Sequence, residues 1–151
     1  MNKKVAIFSF VFLSACANNV PKSLTDNPNV VITNEGLNNY PAFKSITFNH
    51  PDKKDKYAEK CLLKETGSAA VSIGDVYSTT AQGAYRSVSL RRSIPFQYNL
   101  SIIPGNGIYR FEQIRFNEGQ LGGPLYASTS FNSEQAYNEM EAISKRVYDC
   151  L

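Results

Sequence analysis

The segment Ile94–Ile103 constrains the fold more than any other part of this 151-residue chain. Apolar or aromatic residues occupy every second position from Ile94 to Ile102, with polar residues or proline between them. Because the side chains of a strand alternate between the two faces of a sheet, this spacing predicts a strand with one buried face. A chain of this length has room for one ordinary domain, so the strand is expected in a single domain.

Further strands are predicted on both sides of this one. Pro104–Gly107 has the composition of a tight reversal, and the apolar residues of Ile108–Phe116 alternate again. Their parity changes near Glu112, which predicts a β-bulge there. Shorter alternations in Ala70–Tyr77 and Ala84–Arg92 predict two earlier strands, which gives an antiparallel sheet of about four strands.

Two segments have helical signals. Asp52–Glu65 follows a proline and is followed by Gly67, although its short apolar run also fits a strand. Ser133–Asp149 is a clearer helix, whose apolar stripe consists of Ala136, Met140, Ile143, Val147 and Cys150. The predicted fold class is therefore α+β, with the C-terminal helix packed on one face of the sheet in a single domain over residues 41–151.

The amino terminus has three zones. Met1–Lys4 carries two lysines, Val5–Ala15 is apolar or small, and Cys16 follows. The eleven residues of the middle zone would span about 16 Å as a helix, whereas a bilayer core is about 30 Å thick. This zone therefore fits the core of a signal peptide rather than a permanent membrane span.

The end of this zone, Leu13-Ser14-Ala15-Cys16, resembles the lipobox of bacterial lipoproteins. The resemblance implies that the residues before Cys16 are a signal peptide and that Cys16 is lipidated. Two or three acyl chains would hold the protein on a membrane, because one chain binds only marginally. Two alternatives are an ordinary secretory signal and an unprocessed, buried cysteine.

The residue after the lipidated cysteine bears on the membrane. Ala17 stands where the enterobacterial sorting pattern places an aspartate for retention in the inner membrane. By this resemblance, the outer membrane is the expected location, with the folded part facing the periplasm or the cell exterior.

Residues 16–40 are expected to form the lipidated cysteine and a flexible tether. This segment is rich in asparagine and contains Pro21 and Pro28, and its apolar cluster Val30–Ile32 is short. A flexible chain of this length typically reaches roughly 25–30 Å, which would hold the domain clear of the lipid headgroups. The alternative is that Val30–Thr33 is an edge strand of the domain.

With Cys16 assigned to lipid, Cys61 and Cys150 are an even pair in an oxidising compartment, and we predict a disulfide between them. This disulfide would close about 90 residues and stabilise the fold by about 4–5 kcal/mol in the chain-entropy model. The alternative is two separate buried thiols. A metal site is not expected, since there is one histidine, His50, and the cysteines are far apart in sequence.

Catalytic residue types are scarce in this chain. Any Ser-His or Cys-His system would depend on His50, whose neighbours Asn49 and Pro51 indicate a loop and a solvated side chain. The glycine-rich turns lack the pattern of a phosphate loop, and no acidic pair is spaced for glycoside hydrolysis. We therefore expect neither catalytic residues nor a cofactor.

Two sets of residues are candidates for a binding surface. The candidate residues are Arg86, Arg91, Arg92, Tyr98, Tyr109 and Arg110. The arginines could form a cationic patch for an anionic wall component or an acidic protein, or else exposed ion pairs. The tyrosines could offer rings to a partner, or else be half-buried sheet residues.

The charge balance gives no reason to expect nucleic acid as a partner. The chain has 16 basic and 13 acidic residues, and Lys3 and Lys4 lie in the predicted signal peptide. These observations favour a lipid-anchored cell-envelope protein that binds another envelope protein or a cell-wall ligand without enzymatic activity. The alternative is an envelope hydrolase that acts on peptidoglycan or lipid.

Overall fold

The computed structural model describes residues 19–36, 39–117 and 123–151. Its helices and strands, in chain order, are α1 (Lys22–Thr25), β1 (Val30–Thr33), β2 (Ala42–Asn49), α2 (Ala58–Thr66), β3 (Val71–Ile73), β4 (Val76–Ser87), β5 (Arg92–Ile103), β6 (Ile108–Phe116) and α3 (Ser133–Cys150). Cys16 and the predicted signal peptide lie outside the described residues.

The strands of the described chain form one antiparallel sheet in the order β1-β2-β6-β5-β4-β3. The predicted α+β class and the C-terminal helix are confirmed, but the sheet has six strands rather than about four. The additional strands are β1, offered only as an alternative, and β2, whose alternation of buried residues is broken by a bulge at Lys44.

The described residues 19–36 lie against the domain. β1 pairs with β2 over Val30–Thr33, which is the edge strand of the alternative interpretation. Leu24 is buried, and the carbonyl oxygen of Asn19 accepts a hydrogen bond from the backbone N–H of Thr129 at 2.8 Å. This corrects the expectation of a flexible tether from residue 19 onwards.

β4 is a single strand of 12 residues where the sequence predicted two short ones. The apolar alternation of β4 is interrupted in the middle of the strand by Gly83, which has no side chain. Glycine fits there because a Cβ atom would lie 2.8 Å from Cζ of Phe96. The segment Ala70–Tyr77 consists of β3, a turn and the first residues of β4. Much of Ala84–Arg92 is the turn into β5, which leaves Val88 outside any strand.

β5 and β6 form the predicted hairpin, and β6 has the predicted bounds Ile108–Phe116. The register of the pair shifts between Gln97 and Asn99, opposite Gln113, whose φ is 48°. This confirms the predicted bulge near Glu112. The bulge keeps the apolar residues before and after it on the same face of the sheet.

The helix predicted over Asp52–Glu65 is α2, which begins only at Ala58, so the strand alternative is wrong. Gly67 ends the helix with a φ of 74°, a conformation in which glycine avoids the clash of a side chain. Residues 51–57 have no regular hydrogen-bonded structure.

One face of the sheet, called the covered face below, packs against α2 and α3. On this face, the buried hydrophobic side chains of β4, β5 and β6 are Ala81, Tyr85, Ile94, Phe96, Tyr98, Leu100, Ile102, Tyr109, Phe111, Ile114 and Phe116. The predicted helix stripe from Ala136 to Val147 is buried. The predicted disulfide between Cys61 and Cys150 is present, with 5.6 Å between the Cα atoms, and joins α2 to α3.

Candidate functional site

The opposite side of the sheet, called the open face below, is polar. Its residues on β4, β5 and β6 include Ser78, Thr80, Gln82, Ala84, Arg86, Gln97, Asn99, Ser101, Arg110, Glu112 and Arg115. These side chains are exposed or half-buried, whereas those of the covered face are buried. The open face is therefore the more solvent-accessible side of the sheet, and a binding site on the sheet is expected there.

β2 and β6 separate near the middle of the sheet, at a place that we call the fork. They pair directly as far as Ser45 and Glu112, and beyond this point Leu125 lies between them. The backbone N–H of Leu125 donates to the carbonyl oxygen of Ile114 at 2.9 Å. Its carbonyl oxygen accepts from the N–H of Phe43, also at 2.9 Å.

A bulge lies on each arm of the fork. In β2 the register with β1 shifts opposite Lys44, and in β6 the bulge contains Gln113. A positive φ at a residue other than glycine costs on the order of 1 kcal/mol or more, and such strain is often found at functional sites. Bulges also re-aim side chains beside active and binding sites. The fork is thus a local distortion that the rest of the sheet maintains.

The fork opens a cleft of about 560 Å³ onto the open face. The residues that line it include the half-buried Pro124, the buried Phe43 and Ile114, and the polar residues Lys44, Asn99 and Glu112. Binding pockets for small molecules are commonly about 300–1,000 Å³ and combine apolar walls with a few polar groups. The cleft has the size of such a pocket, and its accessible lining is mainly polar.

Asn99 lines the cleft, and its side chain has a buried polar atom. Its Oδ1 accepts no hydrogen bond from the described residues. Leaving a buried acceptor unpaired costs about 1–3 kcal/mol, and a ligand could recover that free energy only after the side chain turned towards the cleft. With Lys44, and with Glu112 in an ion pair with Arg110, the lining has charges of both signs.

The predicted arginines do not form one patch. Arg86 is opposite Ser93 of β5 and Arg110 is opposite Ser101 of the same strand. These positions are eight residues apart, or about 26 Å at about 3.3 Å per residue. The structure therefore places Arg110 near the opposite end of the sheet from Arg86.

Each of the two ends has its own arrangement. Arg91 and Arg92 lie beside Arg86 at the turn between β4 and β5, where all three are exposed. Arg110 forms an ion pair with Glu112, with 2.9 Å between Nη2 and Oε1. This is the ion-pair alternative, and both side chains are about half exposed, so the pair adds little stability.

The predicted tyrosines are on the covered face. Tyr98 and Tyr109 are 1% and 0% exposed, so neither offers its ring to a partner. Burial raises the pKa of each hydroxyl from 10.0 to about 12. Their parity with Phe96 and Phe111 in the alternating pattern was the signal for burial. This corrects their assignment to a binding surface.

His50 is half-buried against α3 rather than solvated. Its Nε2 lies 3.0 Å from Oγ of Ser144, and its ring stacks on Tyr148 with 4.8 Å between the centroids. The hydroxyl of Ser144 is buried and donates to the carbonyl oxygen of Glu141, so Nε2 of the histidine is the donor to Ser144. Burial, assisted by the positive charge of Lys145, lowers the pKa of His50.

Two further features bear on function. Within residues 19–36, 39–117 and 123–151, no three His, Cys, Asp or Glu side chains lie close enough together to hold a metal ion. In the same described ranges, no helix is both long and apolar enough to cross a bilayer. The lipidation of Cys16 stays a prediction, since this residue lies outside those ranges.

No family model, no curated protein and no solved structure matches the chain. Its function is therefore inferred from the residues described above. Sequence reasoning located one arm of the fork, at the parity change near Glu112, but missed the cleft. A similar parity change between Phe43 and Ile46 would have located the other arm.

Proposed function

We propose that this protein is a lipid-anchored protein of the bacterial cell envelope that binds a partner at the fork cleft, without catalysing a reaction. The partner is another envelope protein or a cell-wall ligand. The observation that carries this proposal is the cleft of about 560 Å³ that opens where β2 and β6 separate and that is lined by Lys44, Asn99 and Glu112.

The chemistry of the cleft favours a peptide as the bound group. Peptide N–H groups can donate to the amide of Asn99 once its side chain turns towards the ligand, while carboxylates can pair with Lys44 and ammonium groups with Glu112 in competition with Arg110. Both a protein segment and the peptide part of the cell wall carry these groups. The half-buried side chain of Pro124 provides contact area for an aliphatic part of the same ligand.

The hydrolase alternative receives less support. It depends on His50, whose Nε2 already bonds to Ser144, and Ser144 is a buried residue of α3. A substrate could not reach this serine without movement of the helix. The histidine also packs on the covered face, so it lies on the other side of the sheet from the cleft.

Site-specific photocrosslinking tests which face binds the partner. A photoreactive residue replaces Gln97, an exposed residue of the open face, in the full chain in its native cells. The matched control replaces Asn138, which is exposed on α3. We expect a discrete adduct from position 97, weakened by Lys44→Glu, and none from position 138. Adducts from position 138 alone would place the binding surface on the helix.

The anchor and the absence of catalysis have separate tests. Cys16→Ala should move the protein from the membrane fraction to the soluble fraction, because the acyl chains are lost. The purified protein should leave peptidoglycan and lipid substrates uncleaved. Cleavage that His50→Gln abolishes would instead establish the hydrolase.

A further inference from the structure

The first described residue lies beside the turn between β4 and β5. The carbonyl oxygen of Asn19 accepts hydrogen bonds from the N–H and from Oγ1 of Thr129, both at 2.8 Å. Three residues later, Oδ1 of Asn132 accepts from Oγ of Ser87 at 2.8 Å and from the N–H of Ser89 at 3.0 Å. The intervening 3-10 turn advances about 2 Å per residue, so about 6 Å of chain separates the two contacts.

This position limits how far the domain can stand from a lipid on Cys16. Asn19 is three residues after Cys16, and three residues of extended chain span at most about 11 Å. The end of the molecule that holds Asn19 must therefore lie within that distance of the bilayer surface. The turn between β4 and β5 lies at the same end.

The side chains of this turn suit a membrane surface. Val88 and Leu90 are 72% and 41% exposed, although both are apolar. Arg86 and Arg91 flank them and are also exposed. Apolar side chains surrounded by basic ones are typical of segments that bind the interface of an anionic bilayer.

We infer that the β4–β5 turn is a second membrane contact, in which Val88 and Leu90 enter the headgroup region and the arginines meet anionic lipid phosphates. The contact rests on the proposed anchor at Cys16 for its location. It adds an orientation, in which the strands stand on the bilayer and the open face with its cleft is turned sideways, accessible to a partner.

Tryptophan fluorescence tests this contact in the intact, lipidated chain. The sequence contains no tryptophan, so Leu90→Trp places a single fluorophore on the turn. Ile73→Trp is the matched control, since Ile73 is 83% exposed beside the other end of β4. The two ends of this 12-residue strand are about 36 Å apart at about 3.3 Å per residue.

Each variant is reconstituted into vesicles of phosphatidylglycerol that contain lipids with brominated acyl chains. We expect the emission of Leu90→Trp to shift to shorter wavelength and to be quenched several-fold more than that of Ile73→Trp. Adding Arg86→Glu and Arg91→Glu to Leu90→Trp should reduce the equilibrium constant for membrane contact by at least roughly fivefold per arginine lost, and neutral phosphatidylcholine should also weaken the quenching.

Failure of the contact and failure of the anchor give different results. If the chain floats with the vesicles but both tryptophans keep solvent-like emission, or both are quenched equally, the contact is refuted while the anchor stands. If mass analysis finds no fatty acid on Cys16 and the chain does not float with the vesicles, the anchor is refuted, and the contact loses its basis with it.

Discussion

The covered face and the open face are built by the same strands but differ in what their side chains do. Along β5, Phe96 and Tyr98 are buried against the helices, whereas Gln97 and Asn99 point the other way. The covered face has close packing and a helix layer joined by a disulfide. The open face has the fork, with two bulges and an unpaired acceptor. Because the covered face holds most of the buried residues and the open face holds the proposed binding cleft, we expect substitutions on the two faces to have separate effects on stability and on binding.

The largest expected effect concerns the helix layer of the covered face. Replacing both cysteines, Cys61→Ala with Cys150→Ala, should lower the free energy of unfolding by about 4 kcal/mol, because the disulfide spans 89 residues. Urea denaturation measures the loss, and the reduced wild-type protein is the matched control. A loss below about 1 kcal/mol would mean that the helices hold the covered face without the disulfide.

The second prediction compares neighbouring positions of β4 that point to opposite faces. Gly83→Ala should lower the free energy of unfolding by about 1–3 kcal/mol, since its new Cβ would press on the buried ring of Phe96. Ala84→Ser, on the open face, should change it by less than about 0.5 kcal/mol. The urea midpoints of the two variants are compared. Equal losses of stability would contradict the expected difference between the two faces.

A third prediction uses pH to place His50 on the covered face. Its pKa in the folded protein is lowered from 6.5, chiefly by burial and then by Lys145, so the folded state favours the neutral ring. As the pH falls below about 6.5, the unfolded chain takes up the proton first. The stabilisation is therefore present above about pH 6.5 and is lost as the pH falls through the lower, folded-state pKa.

The measurement compares the wild-type protein with His50→Gln. Urea midpoints are determined at about pH 7.5 and about pH 5, on the two sides of the ordinary histidine pKa. The wild-type midpoint should fall more than that of the variant, because the pH effects of the carboxylates are common to both. Identical falls would show that His50 is as solvated as its loop position suggested.

The smallest expected effect on stability concerns the open face. Lys44→Ala should change the free energy of unfolding by at most about 0.5 kcal/mol, because the side chain is exposed. The same variant should capture less of the partner from solubilised membranes than the wild-type protein, because Lys44 lines the cleft. A stability loss above about 1 kcal/mol with normal capture would contradict the division between the faces.

Much of the covered face was readable in the sequence. The alternation in β5 and β6 identified the buried side chains and the bulge, because a strand places neighbours on opposite faces wherever it lies. The apolar stripe of α3 predicted that Cys150 lies on the side of the helix that faces the core. The open face was less readable, since its polar residues resemble those of any solvated surface, and the candidate arginines proved to lie at different ends of the sheet.

By itself, then, the sequence determined the α+β class, the inward side of the main strands and the disulfide pair, whereas lipidation of Cys16 stays a prediction. These follow from periodicity and motif, which act over short stretches of chain. Only the tertiary structure decided the edge strands, the fork, the setting of His50 and the closeness of Asn19 to the β4–β5 turn. Each of these requires contacts between distant segments, such as Leu125 between Phe43 and Ile114, and no local pattern specifies which segments meet.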